Sequence, residues 1–281
     1  MKNTLLMYLF FLITTYSIAQ IPVPKQEQIN QFLKTTTCVV FDANPMVTYN
    51  ITIKEAVEKY WKITPYKFIK ASEYDKLRKN PAYSFLTIDK VFFEKDKTKA
   101  QYEFLCVSLG GKYRTQNDMP QIATIPLAYY GVDEESYVYK IPALIQFLQN
   151  HINLIKEKPS LKGSNILKYY NSQIEKTHNK TLYLIKDELS TAINTEQKIK
   201  SVYPYPFVLT DRNILENKIM NGDDILFLHK VGPEGSKRKA RCWIIIMGAK
   251  DVKLYYFNYH MIDAKHPDGI LLTDFKKLSK K

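Results

Sequence analysis

The spacing of apolar and polar residues changes period several times along the first half of the chain. Residues 36–42 (TTCVVFD) form a short apolar run, rich in β-branched side chains, that ends at Asp42 and reads as a strand. In ITIKEAVEKYW (51–61), Ile53, Ala56, Val57, Tyr60 and Trp61 fall at helical spacing. Pro65 stops that helix because it has no N–H to donate, and it biases Thr64 toward extended geometry. Tyr66-Lys-Phe68-Ile then alternates like a strand. A short polar helix follows, with Ser72 placed to cap it. AYSFLTIDKVFF (82–93), YEFLCVSLGG (102–111) and IATIPLAYY (122–130) read as three further strands, and IPALIQFLQNHINLI (141–155) as a closing helix.

The same succession is written again. NKTLYLIKDEL (179–189) ends in a strand at Asp187, NTEQKIKSVY (194–203) is a shorter helical stretch, and YPYPFVLT (203–210) repeats the Pro-Tyr-x-Phe phrase. DRNILENKIMN follows as a helix with Asp211 at its cap position. DDILFLHKVGP (223–233), RCWIIIMGAK (241–250) and VKLYYFNYH (252–260) repeat the three strands, and TDFKKLSKK repeats the closing helix. Pairing the phrases sets Pro65 against Pro204, Tyr66 against Tyr205, Phe68 against Phe207 and Asp42 against Asp187. On that pairing Phe68 and Phe207 face equivalent cores, because a strand slipped by one residue would turn its apolar side chains to water. Ile29, Phe32 and Leu33 before the first copy, and Ile166, Leu167, Tyr170 and Ile174 before the second, form similar short helical stripes. The expected fold class is α/β with a mixed sheet: two tandem copies of a β-α-β-α-β-β-β-α unit. The first spans residues 20–158; a linker helix and the second copy span 159–281.

The first nineteen residues change the picture in one respect. Lys2, the apolar stretch from Leu5 to Ile13 and the small residues Ser17 and Ala19 follow the secretory-signal pattern. The stretch is shorter than the roughly 20 apolar residues a membrane span needs. The expectation is an exported protein, periplasmic or secreted, that begins near Gln20 and has no transmembrane span once cleaved.

Charge narrows the partners. The formal net charge is +13, carried by thirty-six lysines and only five arginines. Arginine supplies the bidentate contacts that read bases, so sequence-specific nucleic-acid binding is not expected. A lysine-rich solvated surface, an anionic surface as partner, or an envelope protein as partner fit better. With nine glycines, and no GxGxxG, GxxxxGK[ST], HExxH or GxSxG motif, no cofactor is expected. Three cysteines (Cys38, Cys106, Cys242) all lie in apolar runs and read as buried free thiols, not as a disulfide framework.

The β-α-β-α-β-β order after an export signal, with a strand ending in Asp42-Ala-Asn44 or Asp187-Glu-Leu189, resembles the sheet-and-helix domain of periplasmic proteins such as the TolB amino-terminal domain and the curli-secretion lipoprotein. The resemblance is one of element order and carries no functional residues.

Three groups of side chains could carry chemistry. His229, in ILFLHKV where the first copy has Asp89, lies after Asp223 and Asp224 and could do acid–base work; a strand-end residue reaching solvent looks the same. His260, Asp263 and His266 have metal-like spacing, although the Pro267-Asp268-Gly269 turn beside them gives a polar loop reason enough to exist. Tyr129 and Tyr130 in PLAYY, with Tyr255, Tyr256 and Tyr259 in LYYFNYH, could line a ligand surface or simply fill sheet faces. No catalytic constellation is shared by the copies. The leading expectation is therefore a non-enzymatic tandem-domain binding or scaffold protein; the alternative is a hydrolase-type enzyme with a polar site in the cleft between them.

Overall fold

The computed structural model describes residues 23–235 and 239–280. The segment expected to be an export signal lies outside the described residues. The first half runs α1 (Gln26–Phe32), β1 (Thr36–Val40), α2 (Thr48–Tyr60), β2 (Tyr66–Ile69), α3 (Ala71–Leu77), β3 (Tyr83–Phe92), β4 (Gln101–Leu109), β5 (Gln121–Tyr129) and α4 (Ile141–Glu157). The second runs α5 (Ser164–Asn171), β6 (Thr181–Ile185), α6 (Glu196–Lys200), β7 (Phe207–Thr210), α7 (Arg212–Asn221), β8 (Ile225–Val231), β9 (Arg241–Gly248), β10 (Leu254–Met261) and α8 (Leu272–Leu278). Each half has one five-stranded mixed sheet, ordered β2-β1-β3-β4-β5 in the first and β7-β6-β8-β9-β10 in the second. In both, the first strand is parallel to its two neighbours and the last three strands are antiparallel. The expected α/β class and element order are therefore present twice.

The register corrects the phrase alignment. Thr37 pairs with Tyr66 and donates its backbone N–H to the carbonyl of Pro65; Leu182 pairs with Phe207 and donates its own to the carbonyl of Pro206. Each row continues alike, through Ser84 and Leu109 in one sheet and Leu226 and Gly248 in the other. Pro65 thus corresponds to Pro206, not Pro204, and Phe68 to Leu209. Tyr205 lies before β7, stacked 3.6 Å from the His178 ring. The displacement is two residues, so the face is kept, and both Phe68 and Phe207 are partly buried against the same core. Two cap expectations also shift. Ser72 lies inside α3, whose cap position is Lys70, and Asp211 holds the cap position of α7 without a side-chain cap bond.

The halves are not separately cored. One cluster of buried apolar residues runs from Val39, Ile53 and Trp61 of the first half through Tyr102 to Trp243, Tyr256 and Phe275 of the second. Burying both faces of the second sheet explains why β9 reads as a near-continuous apolar run and why β8 does so apart from His229 and Lys230. A smaller cluster of Cys38, Ile69, Phe85 and Met119 lies apart from it. The three cysteines are free and buried.

Candidate functional site

β8 places His229 at the meeting of the halves with none of its surface exposed. Its Nε2 lies 2.8 Å from the carbonyl oxygen of Pro126 on β5. A carbonyl only accepts, so Nε2 carries the proton and Nδ1, which has no partner, carries the lone pair. Burial, reinforced by the charge of Lys140, lowers its pKa to about 3, which keeps the ring neutral. The first-half residue in this position is Thr87, not Asp89, because Leu86 pairs with Val107 as Leu228 pairs with Ile246. Asp223 and Asp224 stand at the other end of β8, about 20 and 16 Å away at ~3.3 Å per strand residue. There Asp223 pairs with Lys218 at 3.1 Å and Asp224 with Lys180 at 2.5 Å. The three residues do not converge.

The tyrosines separate by burial. Tyr129, Tyr255 and Tyr256 are buried. Tyr129 packs edge-on to Tyr102, Tyr255 donates to Asp251, and Tyr256 donates to Asp274 at 2.7 Å. Only Tyr130 and Tyr259 reach the surface, at 44% and 47% exposure, each with a cation over its ring: Lys90 and Arg241 respectively.

The His260 loop does come together, with the His260 and His266 rings 6.4 Å apart. Its donors, however, serve the turn. His260 Nε2 donates to the Pro267 carbonyl at 3.0 Å, while Asp263 accepts from the backbone of Lys265 and His266 and from His266 Nδ1. Among the described residues no three His, Cys, Asp or Glu side chains are placed to hold a metal ion.

What the apolar pattern hid is a buried ionic group beside His229. The segment joining β5 to α4 passes between the halves and sets Lys140 Nζ 2.7 Å from Glu188 Oε1. Lys230, one residue after His229, lies 2.7 Å from Asp268. Burial alone would depress both lysines; the facing carboxylates outweigh it and hold both pKa values above the ordinary lysine value. Residues 188–190 and 268–270 are laced together by Ile270 N–H to Glu188 O and Ser190 N–H to Ile270 O. Gly269 makes this approach possible, since a Cβ there would stand 2.7 Å from the Ser190 nitrogen. Lys140 and Lys230 each interrupt an apolar run in the sequence, and that was the available signal. A buried lysine marks a paired carboxylate, but the partners are far away along the chain.

The group has the chemistry of a structural tie: two cations, two anions, and a neutral imidazole bonded to the backbone. Burial also pushes the Cys242 thiol well above the ordinary range, which disfavours a thiolate nucleophile. Compared with known proteins, the chain matches no protein-family model, no curated protein and no solved structure.

Proposed function

We propose that this is an exported, non-enzymatic binding or scaffold protein of the periplasm or cell envelope, built from two like α/β units. The observation that supports this reading is the filled seam. The place where a tandem enzyme would open a polar cleft is occupied by Trp243, Tyr102, His229 and two closed ion pairs. An envelope protein or an anionic surface is the partner this reading implies. Among the described residues no helix is long and apolar enough to cross a membrane. The test is a turnover assay on ester, phosphate, peptide and glycoside substrates, with the wild type and a folded His229→Gln variant side by side. The expected result is no turnover that the variant lacks. A reaction abolished by His229→Gln with the fold intact would overturn the reading in favour of a hydrolase site in the seam.

A further inference from the structure

Along the seam the two halves meet through equivalent positions. Three residues beyond the equivalent pairs Leu86–Val107 and Leu228–Ile246, Asp89 pairs with Phe104 and Val231 with Trp243. Trp243 is therefore the counterpart of Phe104, and Arg241 that of Tyr102. Across the seam the Trp243 and Phe104 rings lie 5.7 Å apart, and Arg241 donates its backbone N–H to the Tyr102 hydroxyl at 2.6 Å. Residues set against their own counterparts are the layout of a two-fold interface between like units. Both sheets also have the same strand order. That layout alone would serve two first halves from two chains as well as it serves the two unlike halves of one.

The charges break the symmetry. Among the described residues three ion pairs cross the seam: Lys140–Glu188 at 2.7 Å, Asp96–Arg241 at 2.6 Å and Glu135–Arg212 at 3.6 Å. The first two are largely buried; the third is exposed and contributes little. The Arg241 guanidinium grips Asp96 with two bonds, a fork geometry that fixes orientation. Three of the four buried partners have an uncharged counterpart. Six residues beyond the equivalent strand positions Thr37 and Leu182, Ala43 stands where the second half has Glu188, and Tyr102 stands where it has Arg241. Leu271, at the cap position of α8, stands where the first half has Lys140 at that of α4. Two first halves paired through this layout would bury Lys140 and Asp96 opposite Ala43 and Tyr102. Two second halves would bury Glu188 opposite Leu271. Each charge stranded in this way weighs against like pairing by about a hundredfold or more.

We infer that the seam is a recognition surface whose apolar part accepts either half and whose two buried ion pairs restrict it to the unlike one. The full chain carries the test. In the fourfold variant Lys140→Met, Glu188→Leu, Asp96→Leu, Arg241→Met both pairs become apolar and no charge is left without its partner. Equal amounts of ¹⁴N- and ¹⁵N-labelled chain are unfolded, refolded together, cross-linked through lysine and digested. Lys97, one residue after Asp96, and Lys239, two before Arg241, are exposed on either side of that pair, one in each half. Wild type should give Lys97–Lys239 links. The variant should add mixed-isotope Lys97–Lys97 links, at least about tenfold above the wild-type background. Lys97–Lys239 links alone in the variant, within one chain or between two, would overturn the inference. If the fourfold variant does not refold, Lys140→Met with Glu188→Leu takes its place with the same reading. Failure of both to refold would mean that the pairs supply stability and not choice, which also overturns it. The exchange Asp96→Arg with Arg241→Asp re-forms one pair in reverse and should keep the wild-type links; Lys97–Lys97 links there would count against the inference.

Discussion

Lys140 places its ammonium 2.7 Å from Glu188 Oε1 across the two halves, with 1% of its side chain exposed. Removing one member of a buried pair leaves the other charged and unsolvated, which costs about 3–5 kcal/mol, whereas replacing both with apolar residues of similar volume is often neutral. Glu188 Oε2 already lacks a partner, so Glu188 tolerates no further loss. Lys140→Met should therefore lower the urea midpoint sharply, and Lys140→Met with Glu188→Leu should restore most of it. Equal midpoints for the single and double variants would show that the pair is not the tie described.

Acid should act through the buried imidazoles. His229 falls from 6.5 to about 3 and His151, bonded through Nδ1 to Tyr170, from 6.5 to about 4, both through burial, with Lys140 adding to the effect on His229. Between the unfolded and folded values the unfolded chain binds protons that the native chain does not. Stability is thus fully present above pH 6.5 and is lost as pH falls through that window, by on the order of 5 kcal/mol for His229. His229→Gln keeps a donor for Pro126 and removes the titration. The difference in unfolding free energy between neutral pH and about pH 4.5 should shrink in that variant. An unchanged difference would place the acid sensitivity elsewhere.

Thiol chemistry offers a second check on the core. Burial pushes Cys38 up to about 11 and Cys106 and Cys242 well above the ordinary value. A thiol reagent at neutral pH should modify none of the three in the native protein and all three in denaturant. Rapid native labelling of any of them would mean that its strand opens locally.

How much of this could be read in advance depended on whether the cause was local. Element order was legible because each strand carries its own alternation and each helix its own stripe, as in Ile53, Val57 and Trp61. The repeated Pro-Tyr-x-Phe phrase pointed to the right strands but set them two residues apart. Pro204 and Pro206 are both plausible strand openers; only the hydrogen bond from Leu182 to the Pro206 carbonyl decides between them. The site was much less legible. His229 was visible as a polar residue in an apolar run, but its partner is a carbonyl 103 residues earlier. For Tyr129, Tyr255 and Tyr256 the sequence left open a ligand surface or a filled sheet face, because their partners Tyr102, Asp251 and Asp274 are not marked by any local pattern.

That covering makes the last prediction. Trp243 of β9 meets Tyr102 edge-on at 4.6 Å between ring centroids and lies 5.7 Å from both Phe93 and Phe104. Arg241, two residues before it, clamps Asp96 with two hydrogen bonds of 2.6 and 2.7 Å, and its backbone N–H donates to Tyr102 at 2.6 Å. Trp243→Ala deletes the largest side chain of this contact and should cost about 3–5 kcal/mol. Residues 23–158 produced alone would leave Phe93, Tyr102 and Phe104 facing water, and residues 159–280 alone would expose Trp243 and the face of β8 that carries His229. Neither fragment should show a cooperative thermal transition by itself, while mixing the two should restore one as the shared core reforms. A fragment that unfolds cooperatively without its complement would mean that each half has a sufficient core of its own, and Trp243→Ala should then cost well under 3 kcal/mol, the lower end of the range for a buried aromatic.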